Sequence, residues 1–552
     1  MIDAPIIIAG GGPVGLTLAL ELDYHGVDCI LLERNETTTR HPKMDITNGR
    51  SMEFFQRLGV ADLLRAKAVP ADHKYSVVWC TDLAGWELAR FDYPSVAQKR
   101  DQLRSENDGK SALEPGMRVS QILLEPVLKE RLETQCSHVK VMFGWALEGF
   151  TQDEDGVDVQ ICASDSGEKQ TLRAQYLAGC DGAGSVARRQ LGVSLDELEQ
   201  PHLEAENMKN PPRRRLYMIH FTSPEIDHIE RFGRAWHLQS PAGWSVIAQD
   251  DVKTWTIHIP VAPGDNPEEW DPKEVLFAAL GCEIECDVHV ANPWTPRLSL
   301  AESYGNGRVW LAGDSVHQVI PTGGYGMNTG IGDAVGLGWA LAAQVNGWGE
   351  PGLLHAYELE RRHVAERNRL GSARHTNLRA DIRKSYDPAM NEDSDAAAAK
   401  RAEYGAFIRE LGNLENEAWG IEWGYRYDDS PVICAEAGDA PAYDWDNYVP
   451  TSWPGSRPPN IFLADGKPLF DKLGREFTLL VFDNEPSDSL TTAAADVGLP
   501  LAIVPLDNVF AATLYERKLV LLRPDHHVAW RGNVSPDASK AREIIEKVRG
   551  VL

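Results

Sequence analysis

The N-terminal stretch APIIIAGGGPVGLTLALELDYHGVDCILLERN leaves a folding chain few choices. Residues 6–9 are a short apolar run of strand length, and residues 10–15 form a turn almost without side chains. Residues 16–24 repeat apolar side chains at helical spacing, Gly26 stops that helix, and residues 27–32 return as a strand. Strand, glycine turn, helix and strand in this order predict a parallel α/β sheet. The glycines permit a tight turn and let a pyrophosphate approach a helix N-terminus. The candidate contacts of a dinucleotide are Gly10, Gly12, Pro13, Val14 and Gly15, with Glu33 placed to accept ribose hydroxyls and Arg34 beside it. This motif does not by itself separate NAD from FAD.

Two further segments are built in the same way. In YLAGCDGAGSVARRQLG, Asp181 and Gly182 follow a strand, Ser185 caps the next turn and Arg188 lies one helical turn beyond. In VWLAGDSVHQVIPTGGYGMNTG, a buried strand ends at Gly313 and Asp314 opens a loop. Pro321, Gly324, Gly326, Met327 and Asn328 then bring backbone N–H groups and a helix N-terminus toward a developing negative charge, with Pro321 a candidate catalytic position.

Net charge decides which partners are excluded. The 552-residue chain carries a formal charge of −27, which argues against nucleic acid and anionic membrane surfaces, since both want a basic face. No apolar run reaches the roughly 18 residues of a membrane span. No secretory leader is evident, and eight scattered cysteines suit a reducing compartment, so a cytoplasmic location is expected. Cys282 and Cys286 are the closest cysteine pair but lack further ligands at metal spacing, so no metal site is expected.

Texture divides the chain. Residues 1–75, 111–200 and 301–385 read as a discontinuous dinucleotide-binding domain. Residues 76–110 and 201–300, with alternation as in RLYMIHFTS and TWTIHIP, read as an inserted, mostly antiparallel sheet. Residues 386–449 read as a helical and loop connector in which YDPAMNEDSDAAAAKRAEYG is an acidic loop or hinge. Residues 450–552 read as a small separate α/β domain.

The three glycine-bearing motifs, in this order, resemble the signature of the group A flavoprotein monooxygenases, the aromatic hydroxylases of the para-hydroxybenzoate hydroxylase fold. The likeness runs from residue 1 to about 380. RVSQILLEPVL is similar to the family segment in which an arginine and a glutamine contact FAD, here Arg118 and Gln121. The C-terminal part is similar to the thioredoxin-like domain of the phenol hydroxylase branch but has no CxxC, which leaves it packing or dimer support rather than redox chemistry. The resemblance implies FAD as cofactor, NADPH or NADH as a transient electron donor, and O2. It also implies a flavin C4a-hydroperoxide that hydroxylates a phenolic or related aromatic substrate, and a homodimer. His317 falls at a position that in the family supports the loop.

Asp45, five residues before Arg50, matches the phenol hydroxylase pattern in which an aspartate meets the phenolic hydroxyl, and is a candidate base. A helix-capping or solvent-facing role fits Asp45 equally. Many relatives carry Pro-Arg-Ala where this chain has Pro42, Lys43 and Met44, which removes an arginine near the flavin. Tyr217, His220, Trp236 and His258 on the inserted strands are candidate substrate contacts. Two other readings stay open. A flavin-dependent halogenase shares the fold, although Ile257 stands where that family has a second tryptophan. A non-catalytic FAD-binding protein is the other.

Overall fold

In a computed structural model, residues 2–198, 215–225, 229–250 and 252–551 are described. The expected boundary between residues 200 and 201 lies outside them. The first strand, Ala4–Ala9, pairs in parallel with Cys29–Glu33 on one side and Lys169–Gly179 on the other. Val139–Phe143 and Val309–Leu311 extend the parallel set. The order reverses around the first strand, so the strand ends at Ala9 and Gly179 open onto the crevice where such sheets take ligands. The two strands Ala4–Ala9 and Cys29–Glu33 are buried on both faces, between the first helix, Pro13–Tyr24, and the rest of the core.

The inserted sheet has seven strands in the order Asp287–Trp294, Arg215–Thr222, Thr254–Val261, Ser245–Ala248, His237–Gln239, Tyr75–Cys80 and Glu87–Tyr93. Every pairing is antiparallel except that of His237–Gln239 with Tyr75–Cys80. Two stretches depart from the sequence reading. Val96–Glu106 is a helix within the segment read as sheet, started by a reciprocal capping box between Ser95 and Gln98. The helix Asp395–Leu411 begins inside the acidic stretch read as a loop, capped by Ser394 and ended at Gly412. Its alanines carry the helix, and Tyr404 and Ile408 bury against Leu88, Ala89 and Ile382.

The C-terminal unit is a four-stranded sheet, Leu501–Leu506, Phe477–Phe482, Leu519–Leu522 and Val528–Gly532, backed by helices. It shares a core with the dinucleotide-binding part: Phe477 meets Trp339 and Trp348 edge-on at 6.4 and 6.0 Å. Buried charges cross the same boundary. Glu53 takes Arg457 at 2.9 Å and Arg50 at 3.1 Å, while Arg523 makes a two-pronged pair with Glu360 at 2.5 and 2.8 Å. Burial would raise the Glu53 carboxyl, but Arg457 and Arg50 hold it below its ordinary value. Removing one partner of such a set strands the other in a dry interior. Glu53→Ala is therefore expected to destabilise the protein by about 3–5 kcal/mol, read as a fall in the urea midpoint; a midpoint unchanged from wild type would show the pair contributes nothing.

A second crossing pair is pH-sensitive. His25, at the end of the first helix, bonds Glu21 at 3.1 Å and Glu476 of the C-terminal unit at 2.8 Å. Burial would lower its pKa, but the two carboxylates outweigh it and hold the imidazolium above its ordinary 6.5. A raised folded-state pKa gives stability that is complete below the unfolded value near 6.5 and is lost as pH climbs through the folded one. The stability advantage of wild type over His25→Gln is expected to be largest at pH 6 and to shrink steadily above neutrality. An advantage that grew with pH would contradict the assignment.

Candidate active site

At the dinucleotide end, Gly10 sits at φ +112°, where a Cβ would overlap the Cys180 carbonyl oxygen. Gly12 opens onto free space and precedes the first helix with no side-chain cap, so the first N–H groups face a cavity. Pro13 and Val14 line it too. Gly15 does not. It lies inside the helix, where a Cβ would overlap the Gly10 carbonyl, and its role is to let helix pass over strand. Glu33 and Arg34 line the cavity, and Glu33 accepts from the Gly11 N–H at 2.8 Å and the Asn35 N–H at 2.9 Å.

The second motif joins the third. Asp181 takes the Val186 and Ala187 N–H groups on Oδ2, at 2.6 and 3.1 Å, while its buried Oδ1 has no partner among the described residues. Ser185 caps Arg188, whose guanidinium donates to the Ser315 carbonyl at 2.9 Å.

The third motif is held from behind. Asp333 accepts from the Gly313 N–H at 3.0 Å, bonds His317 Nε2 at 2.7 Å and pairs with Arg361 at 2.9 Å. Burial opposes its charge, yet His317 and Arg361 keep its pKa below the ordinary value. His317 is buried and spent on this support. Gly313 itself faces Val14 rather than the cavity, at φ +67°, whereas Asp314 and Pro321 reach it. Gly324, at φ +66°, starts the 21-residue helix Tyr325–Val345, again with no side-chain cap. Gly324, Gly326, Met327 and Asn328 all line the cavity. Asn328 fixes this end to the segment that follows Asp45: it accepts from Asn48 N–H at 3.0 Å and Ser51 Oγ at 2.7 Å and donates to the Ile46 carbonyl at 3.1 Å.

The inserted sheet covers the other side. Trp79, Gln239, Ser245, His258, Met218 and Asn292 stand in register across six strands and all line the cavity. Asp45 is buried there, and its Oδ2 accepts the Trp236 indole N–H. It does not cap the following helix: Asn48 does, through the Ser51 N–H. His258 accepts the Trp294 indole N–H at 3.3 Å on Nδ1, and burial followed by the Arg379 charge lowers its pKa to about 4. Arg379 borders the cavity from the long helix Gly352–Lys384 and pairs with Glu415 at 2.7 Å.

Three sequence candidates point elsewhere. Tyr217 alternates to the far face of the sheet and packs edge-on against Trp270 at 5.2 Å. His220 is spent on Thr256 Oγ1 and the Trp255 carbonyl, both at 3.1 Å, and does not border the cavity. Arg118 does not border it either: it lies 5.5 Å from the Tyr75 ring and 5.7 Å from that of Trp236, and donates to the Ala248 carbonyl. Gln121 does line the cavity, bonded to Glu125 at 2.7 Å. What the sequence reading missed is the connector, where Glu415, Trp419, Glu422 and Trp423 form a wall of the same cavity. The only signal was a pair of tryptophans four residues apart.

The cavity holds about 1400 Å³, above the range of roughly 300–1,000 Å³ usual for a single small ligand. Two uncapped helix N-termini and glycines where a side chain would collide fit an elongated anionic dinucleotide, and the Asp181 carboxylate would accept from one of its hydroxyls. The same space leaves room for a second molecule against the sheet. Among the described residues no cluster suits a metal ion, and no helix is long and apolar enough to cross a membrane.

Comparison with known proteins agrees with this geometry. The FAD binding domain family matches residues 3–370, and the family described as aromatic-ring hydroxylase, C-terminal, matches residues 451–551. The chain is 36% identical to the FAD-dependent monooxygenase apdD of Emericella nidulans, over 99% of this chain and 90% of that one. It is 27% identical to phenol 2-monooxygenase of a Pseudomonas strain, over 96% and 90%. The rebeccamycin biosynthetic enzyme RebC, solved with reduced flavin, superposes over 100% of both chains with a TM-score of 0.87 at 30% identity.

Proposed function

The chain belongs to the FAD-dependent aromatic-ring monooxygenases, and on that premise we propose that it hydroxylates a phenolic ring seated between Asp45 and the inserted sheet. The observation that carries this reading is that two uncapped helix N-termini and a buried carboxylate open into one cavity. FAD, reduced by NAD(P)H and reacted with O2, supplies an electrophilic oxygen. Gly12, Pro13, Glu33 and Asp181 would hold its dinucleotide end, and the backbone N–H groups after Gly324 would face the ring end. Asp45 accepts the phenol's proton, which makes the ring carbons more electron-rich, and the Trp236 N–H fixes the carboxylate that does so. The sheet face and the connector keep water from the reacting carbon.

The test uses the purified holoprotein with a panel of phenols, following NADH and NADPH oxidation and weighing the product. A substrate-stimulated rate with a product one oxygen atom heavier is expected. Chloride-dependent halogenated product, or no stimulation by any phenol, would overturn the proposal.

A further inference from the structure

Excluding water is the one task that the reaction as described gives the connector's wall. Glu422 closes the short helix Trp419–Glu422 and borders the cavity, and its carboxyl has no hydrogen-bonding partner among the described residues. The indoles of Trp419 and Trp423 flank it, stacked 5.0 Å apart at 24°. Beside them, buried polar atoms also lack partners: Glu415 Oε2, Asn416 Nδ2 and the Trp423 indole N–H. A carboxyl that borders a cavity with no partner of its own is one that a ligand there can complete.

The wall is firmly placed. The Trp419 N–H donates to the Asp446 carbonyl at 2.9 Å, Tyr93 bonds Glu417 at 2.6 Å, and Arg379 holds Glu415. Ala418 and Ile421 pack on Tyr325, the first residue of the helix whose N-terminus faces the cavity. Trp423 packs with Ala112 and Tyr448 on the other side. Glu422 is thus carried on a backbone segment held from both sides.

We propose that Glu422 is a specificity-determining residue that hydrogen-bonds a second oxygen substituent of the substrate, on a ring lying along the Trp419 and Trp423 indoles, and that the substrate is therefore a fused or extended aromatic carrying oxygen on more than one ring. This rests on the phenol hydroxylase reading of the same cavity. Burial pushes the Glu422 carboxyl up to about 8, so near neutrality it keeps its proton and donates to an oxygen acceptor without leaving a charge in the cavity. The cavity's volume agrees, since one benzene ring beside a dinucleotide would leave much of it empty.

The experiment compares 2-naphthol with 2,7-dihydroxynaphthalene, which differ only in the second hydroxyl, by calorimetric titration of the FAD-loaded enzyme. Wild type is expected to prefer the diol about tenfold. Glu422→Ala should erase that preference while holding 2-naphthol within twofold, and Glu422→Gln, which still donates and accepts, should restore most of it. NAD(P)H oxidation stimulated by 2-naphthol is followed in wild type, where it reports separately on the phenol hydroxylase reading. An equal preference in wild type and Glu422→Ala, or none in wild type, overturns the assignment of Glu422 even if 2-naphthol stimulates oxidation. If neither naphthol binds nor stimulates, the phenol hydroxylase reading fails and takes this one with it.

Discussion

Gly10→Val is expected to give a folded protein that no longer holds FAD. The position requires φ +112°, which a β-branched residue adopts only under strain, and the new Cβ would overlap the Cys180 carbonyl just past the paired ends of the first and Lys169–Gly179 strands. Neither neighbour is a flexible side chain, so the turn must move. The turn carries the uncapped N-terminus of the first helix, and a shift of about 1 Å is enough to spoil backbone hydrogen bonds to a pyrophosphate. FAD affinity should fall by at least about 100-fold, a loss of roughly 2.7 kcal/mol, and the purified protein should lack flavin absorbance. Gly26→Ala is the control. It too has a positive φ, +71°, but nothing lies within 4 Å of its Cβ and it is far from the crevice. That variant should lose about 1 kcal/mol of stability and keep its flavin. A yellow Gly10→Val protein with normal FAD affinity would remove this turn from the cofactor site.

The contrast between these glycines shows what sequence patterning carries. The run of glycines in residues 10–15 announced the turn because only close backbone approach explains it, and the strand and helix around it have unmistakable periods. The same logic overreached at Gly15 and Gly313, which serve packing of helix on strand and loop on Val14, not a ligand. Alternation on the inserted strands told that half the aromatic residues face inward but not which half. The register with the neighbouring strands decides it, and this put His258 in and Tyr217 out. His220 shares the face of His258 yet lies past the end of the cavity, a matter of sheet length that no local pattern encodes. Glu415, Trp419 and Glu422 were illegible for a different reason. Their segment has short helices and loops with no period, and it acquires meaning only by folding back against Tyr325, Tyr93 and Arg379.

Asp45→Asn should separate oxygen activation from oxygen transfer. Asparagine keeps the shape of the carboxylate, so FAD binding and NAD(P)H oxidation should persist near wild-type levels. The amide cannot take a proton, and the phenol then presents a less nucleophilic ring to the electrophilic oxygen. Loss of a positioned base typically costs 10²–10⁴ in rate; about a 100-fold fall in the hydroxylation step is expected here, with reducing equivalents diverted to hydrogen peroxide. A pH series distinguishes this from a structural effect. A phenol with a pKa near 10 ionises in solution as the pH approaches that value, which supplies the phenolate without help from the protein. The coupling of oxidation to product in Asp45→Asn should therefore climb toward wild type between pH 7 and 9.5, while wild type changes little. Trp236→Phe, which removes only the N–H held by Asp45, should show a smaller defect of the same kind, since the base survives but loses its orientation. If Asp45→Asn couples normally at pH 7, or if its defect is the same at every pH, the carboxylate is a structural partner of Trp236 and the proton leaves by another route.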